Sequence, residues 1–214
     1  MLSVALDRCA DIFDIIVPVR CVFCCRHETH VCQTCCERWA RASLVGRTPQ
    51  ADMPSVVALG WYAGSLRTAV LGLKFRNRRI AAVRLGALLG RKLHLAVDAI
   101  VPVPLHRQRY RSRGFNQAEA IAQGIASAIN APLLTDAVVR PRSTIAQSSL
   151  ALRERRLNVR DAFAPGSQAV QLRDARVLIV DDVVTTGATL AACASALRCA
   201  GVRNIIAAAL AVRR

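Results

Sequence analysis

The chain has 214 residues, 53% of them hydrophobic, with thirty Lys+Arg against fourteen Asp+Glu for a net charge of +16. That length holds one ordinary domain plus a small module and allows a sizeable core. No uncharged apolar run reaches the roughly 18 residues of a membrane span, and Asp7, Arg8, Asp11 and Asp14 interrupt any signal-like stretch at the N-terminus. A cytoplasmic location is expected, where thiols stay reduced. Lysine occurs only at Lys74 and Lys92, so the excess charge is arginine, the cation suited to bidentate phosphate contacts. It reads either as a solvated basic surface or as a surface for a polyanion, meaning nucleic acid or a phosphorylated metabolite.

The first feature along the chain is CVFCCRHETHVCQTCC, residues 21–36. Two Cys-x2-Cys pairs, Cys21 with Cys24 and Cys32 with Cys35, offer the four thiolates of a closed, structural zinc site. Cys25 and Cys36 directly follow the pairs and His27 and His30 lie between them, so the ligand set stays open among these residues. An iron–sulfur cluster draws on the same four thiolates, and disulfides need an oxidising compartment. Metal supplies the stability that so short a segment cannot draw from a core. Cys9, Cys193 and Cys199 are expected to be small packed apolar residues. A helix is predicted over 36–44, and the Gly, Pro and polar residues of 46–54 read as a linker. The expected units are 1–48 and 55–214.

From Ser55 the pattern alternates. Residues 55–62 read as a strand, and 65–75 and 80–97 have helical spacing. A short strand over 98–104 ends in prolines, a helix over 115–130 is stopped by Pro132, and 133–139 reads as another strand. Residues 140–173 are polar and arginine-rich with no steady period. A buried strand at 177–180, a helix over 189–201 ended by Gly201 and a strand over 204–212 close the chain. Such alternation predicts an α/β fold with a mainly parallel sheet flanked by helices.

The stretch VLIVDDVVTTGATL, residues 177–190, carries the chemistry. The strand Val177–Val180 delivers Asp181 and Asp182 to the carboxyl edge of the sheet, where α/β folds bind ligands. Thr185, Thr186, Gly187, Ala188 and Thr189 then lead into a helix, a turn of free N–H groups and hydroxyls suited to a phosphate. Neither G-x-x-x-x-G-K-[ST] nor G-x-G-x-x-G occurs. Carboxylates for hydroxyls beside a phosphate cradle suit a ribose 5-phosphate; the alternative is a plain strand–turn–helix corner.

VLIVDDVVTTGATL resembles the phosphoribosyl pyrophosphate (PRPP) binding motif of type I phosphoribosyltransferases. The resemblance implies that Asp181 and Asp182 bind the ribose hydroxyls and stabilise an oxocarbenium-like ribose in catalysis. It also implies that Thr185 through Thr189 hold the 5-phosphate and that Mg²⁺ accompanies PRPP. The run IVPVPLHRQRYRSRGFNQA, residues 100–118, supplies the expected pyrophosphate side at Leu105, His106 and Arg107; a solvated basic loop is the alternative.

Together with LKFRNRR at 73–79, with Gln147, Arg153, Arg156 and Asn158 of TIAQSSLALRERRLNVRDAF, and with the cysteine pairs, these motifs resemble the ComF (competence protein F) family over nearly the whole chain. Membership implies a small zinc-ribbon-like N-terminal module joined to a type I phosphoribosyltransferase-like domain. It further implies a role in natural transformation, the uptake and processing of external DNA. Candidate contacts to single-stranded DNA are Lys74, Arg76, Arg109, Arg111, Arg113, Arg153, Arg155 and Arg156, with Phe75, Tyr110 and Phe115 interleaved. Residues 140–160 read equally as the loop that closes over PRPP in this fold. Two other functions stay open. One is a metabolic phosphoribosyltransferase whose acceptor hood comes from residues 55–97; the other is an adaptor whose zinc module docks a DNA-uptake translocase.

Overall fold

The computed structural model describes residues 19–27, 29–49, 52–74, 78–140 and 162–214. Its strands are β1 (Val45–Arg47), β2 (Ser55–Trp61), β3 (Ala99–Pro102), β4 (Val138–Val139), β5 (Ala164–Pro165), β6 (Arg176–Val184) and β7 (Asn204–Val212). The helices are α1 (Gln33–Arg41), α2 (Gly64–Gly72), α3 (Arg79–Gly90), α4 (Arg107–Arg113), α5 (Gln117–Ile129) and α6 (Ala188–Cys199), with a 3-10 turn over Ser167–Leu172. Five strands form one sheet in the order β1-β2-β7-β6-β3. All pairings in it are parallel except β1 with β2. The mainly parallel α/β sheet expected from the alternation is present.

The central strands are apolar over their buried stretches, Val177–Val180 of β6 and Ala207–Val212 of β7, because helices cover both faces. Leu178, Val180, Ala208 and Leu210 face one core, shared with α2, α3 and α5. Val177, Ile179, Ala207 and Ala209 face the other, shared with α6. On the first face α3 and α5 lie backbone against backbone. A Cβ on Gly86 would fall 2.0 Å from the carbonyl oxygen of Ile121, and one on Gly124 2.0 Å from that of Val83. Only glycine permits that approach.

Several elements depart from the sequence pattern. Helix α3 stops at Gly90, and residues 91–97 instead return along the core, packing Leu93, Leu95 and Val97 against it. The strand expected over 133–139 shrinks to β4, paired antiparallel with β5 in a separate ribbon. Residues 46–54 begin as strand: β1 pairs Val45 with Ala58 and Arg47 with Val56. The N-terminal residues also join the first core, where Cys21, Val22, Phe23, Val31 and Cys32 are buried with Leu59 and Leu66. The Phe23 and Trp39 rings stack at 5.5 Å. Cations at the start of α3, within it and in the turn after it then grip the same segment. Arg78 donates to the carbonyl of Arg20, Arg84 to Thr29 Oγ1 at 3.2 Å, and Lys92 Nζ to the Ala42 carbonyl at 2.7 Å.

Candidate functional site

Strand β6 does not end at Val180. It runs through the acidic pair to Val184 because β7 continues beside it, pairing Asp181 with Ala209 and Val184 with Val212. On its other side β3 stops at Pro102, opposite Val180. The last bond there is Val103 N–H to the Val180 carbonyl, 2.9 Å. From Asp181 onward one edge of β6 is therefore open, and a cavity of about 210 Å³ lies at that opening.

Both carboxylates of the acidic pair line this cavity. Each accepts a 2.8 Å bond from the next backbone N–H, Asp181 from Asp182 and Asp182 from Val183. Burial pushes the Asp181 carboxyl well above the ordinary carboxylate value; the charge of Asp182 adds to this and the Arg140 guanidinium opposes it. Cys193 of α6 lies under the same group. Its thiol is pushed up by burial and then by the Asp181 charge. Arg113 is pulled down by burial while the Asp182 carboxylate holds it up. Arg113 and Arg140 thus supply the opposing charge at the cavity that the acidic pair lines.

Lys74, Leu105, Arg109, Arg113, Arg140 and Thr189 all line this cavity with the acidic pair. Of the expected pyrophosphate-side residues, Leu105 lines it. His106 caps α4 instead, its ring nitrogen accepting from Gln108 N–H, and Arg107 is exposed at the helix start. Lys74, Arg109 and Arg113, read from the sequence as DNA contacts, open onto the carboxylates, whereas Arg111 lies on the exposed side of α4. Arg76, Arg153, Arg155 and Arg156, together with Phe75, Gln147 and Asn158, lie outside the described residues. Arg140 was not singled out by the sequence. It follows β4, and its guanidinium sits 5.2 Å from the Phe163 ring centroid, a tertiary contact with no local pattern.

The RGFNQA turn explains how the arginines are aimed. Gly114 ends α4 in the left-handed region at φ 82. Phe115 is buried, and Asn116 caps α5 by accepting from Ala118 N–H at 3.1 Å while donating to the Val103 carbonyl at 3.0 Å. Arg113 donates to Gln117 at 2.8 Å. These bonds tie α4 to the end of β3. Beyond Asp182, the exposed Thr185 and Thr186 lead through Gly187, φ +82, into α6.

In the N-terminal segment the sulfurs of Cys21, Cys24, Cys32 and Cys35 all lie within 4.8 Å of one another. A tetrahedron with Zn–S bonds of about 2.3 Å has edges of roughly 3.8 Å, and Cys24 and Cys32 sulfurs are 3.6 Å apart. Four thiols at this spacing fit zinc. Burial alone would raise the Cys21 thiol, but backbone N–H groups of Cys32, Cys24 and Phe23 bring it down to about 6, whereas burial and the neighbouring thiols push Cys35 up. Among the described residues, Cys25, Cys36, His27 and His30 stand outside the group. Cys193 is buried as expected; Cys199 is exposed, because it ends α6 on the solvent side. Cys9 lies outside the described residues.

The mainly parallel sheet with flanking helices, joined to a four-cysteine group, has the type I phosphoribosyltransferase fold. The phosphoribosyl transferase domain family matches residues 111–214. The chain belongs to the competence protein F family. It is 33% identical over 162 residues to Competence protein F of Haemophilus influenzae, covering 70% of this chain and 69% of that protein. It is 32% identical over 188 residues to the DNA utilization protein YhgH of Salmonella typhimurium, covering 83% and 82%. Among solved structures, glutamine PRPP amidotransferase from B. subtilis is 21% identical with a TM-score of 0.46; the match covers 63% of this chain and 27% of that one. No described helix is long and apolar enough to cross a membrane.

Proposed function

We propose that the cavity binds PRPP and that the protein couples this ligand to the handling of single-stranded DNA during uptake of external DNA. The observation that carries the first part is the meeting of Asp181, Asp182 and Thr189 with Lys74, Arg109, Arg113 and Arg140 around one cavity. The acidic pair takes the ribose hydroxyls, and Thr185 through Thr189 take the 5-phosphate with backbone N–H groups and hydroxyls. Arg109, Arg113 and Lys74 face the pyrophosphate. Mg²⁺, when bound with PRPP, supplies further charge for that group, held mainly by ligand oxygens and water. If ribosyl transfer occurs, Asp181 and Asp182 stabilise the cationic ribose while the arginines stabilise departing pyrophosphate.

The DNA half rests on the family relatives and on a surface beside the same edge. Trp61 is 38% exposed with the Arg214 guanidinium 5.2 Å from its ring centroid, and Arg67 lies 5.9 Å from that of Tyr62. Trp61 pairs with Val212, which also pairs with Val184 at the start of the phosphate loop, two strands or roughly 10 Å away. Aromatic faces among cations are what single strands stack on. A metabolic transferase would need residues 55–97 as an acceptor hood, and these fold as β2, α2 and α3 against the sheet. The four-cysteine group holds structural zinc in this reading. The test is calorimetric titration of the zinc-loaded chain with PRPP and Mg²⁺, with and without a single-stranded oligonucleotide. Binding of both ligands with a mutual shift in affinity is expected; absence of PRPP binding rejects the site, and absence of oligonucleotide binding rejects the DNA role.

A further inference from the structure

The phosphate loop 185–189 carries no charge of its own and follows two carboxylates. A phosphate dianion in it calls for a cation. One reaches the loop from the N-terminal side of the chain: Arg47, the last residue of β1, donates from Nη1 to the carbonyl of Thr185 at 2.5 Å. Arg47 is half-buried, while Thr185 and Thr186 are exposed. The segment after it also braces the loop. A Cβ on Gly187 would fall 1.9 Å from the Met53 sulfur, so the thioether covers the loop's glycine. Arg198 of α6 donates to the Asp52 carbonyl at 3.0 Å. Strand β1 is itself fixed by its ladder to β2 and is joined through residues 42–44 to α1, the helix that carries Cys35.

We infer that Arg47 is a binding residue of the phosphate site. It holds the loop by the Thr185 carbonyl and presents its charge to the ligand's 5-phosphate. A guanidinium has five N–H donors in a planar fork, and the carbonyl occupies one. The site is then completed by a strand that comes directly from the cysteine module, so module and phosphate loop share one residue.

This inference rests on the PRPP reading, and the experiment separates the two. The full chain and its R47A and R47K variants are titrated with PRPP plus Mg²⁺, with ribose 5-phosphate and with inorganic pyrophosphate. R47A is expected to weaken PRPP and ribose 5-phosphate about tenfold, the loss of one charge-assisted contact. Pyrophosphate affinity stays unchanged, and R47K recovers part of the loss. Wild-type affinity of R47A for ribose 5-phosphate overturns the role of Arg47 while leaving the PRPP site standing. Failure of the wild type to bind PRPP or ribose 5-phosphate overturns both. Should R47A not fold, R47Q removes the charge while keeping a shorter side chain with two N–H donors; retained ribose 5-phosphate affinity in R47Q overturns the inference and its loss supports it.

Discussion

Asp181 and Asp182 are neighbours with different environments, and that difference is testable. In Asp181 the folded state holds a proton more tightly than the unfolded chain does. From about pH 4 upward the unfolded state therefore loses its proton first, and stability falls as pH rises until the folded carboxyl ionises. Asp181→Asn removes this penalty. Thermal melts across pH 4 to 8 should show the variant more stable than wild type near neutrality, with the gap closing toward about pH 4. The same change should cost ligand. Asp181→Ala with Asp182→Ala is expected to weaken PRPP by more than about 100-fold, two charge-assisted hydrogen bonds, with the fold intact by circular dichroism. Unchanged calorimetric affinity would refute the ribose assignment. The carboxylates were legible in the sequence because a motif is local; Arg140 was not, and Arg113 read as a DNA contact, because the packing of side chains around a cavity arises only when strands pair.

Among elements, the α3–α5 contact and the cysteine module make opposite demands. Helices α3 and α5 touch through glycine, so a single methyl meets backbone that cannot yield. Gly124→Ala should destabilise by about 1–3 kcal/mol, read by urea titration with PRPP affinity per folded molecule preserved. The sequence predicted both helices from their spacing, yet nothing in that spacing marks Gly86 or Gly124 as a crossing point. The module, by contrast, is packed into the first core and gripped by Arg78, Arg84 and Lys92. Cys24→Ser should lower bound zinc by elemental analysis and also lower the melting temperature of the whole chain. A separate, low-temperature transition confined to the N-terminal residues would show that the two parts fold independently.

Over the whole molecule, charge and edge geometry converge. The +16 net charge predicts salt-dependent association with a single strand. Binding of a labelled oligonucleotide should weaken steeply between about 50 and 200 mM salt, and Trp61→Ala should remove base stacking worth about 1–3 kcal/mol. Trp39 is partly buried and stacked on Phe23, so the quenching of tryptophan fluorescence that Trp61→Ala removes reports Trp61; quenching that persists in Trp61→Ala would place the strand elsewhere. Charge composition read either as a solvated basic surface or as a surface for a polyanion, while the position of Trp61 and Arg214 depends on β2 and β7 pairing far apart in sequence.

By itself the sequence determined what local pattern can encode: the alternation that makes a parallel sheet, the two Cys-x2-Cys pairs, and the motif that joins two acids to a hydroxyl-rich turn. Tertiary structure decided the rest. It let β6 run on because β7 ran beside it, and it opened a cavity because β3 stopped at Pro102. It gathered Lys74, Arg109 and Arg113 around one cavity with the carboxylates and brought Arg47 of an expected linker onto the loop at Thr185. Each of these depends on where a neighbouring strand ends or which face a helix presents, and such long-range pairing leaves no period in the chain.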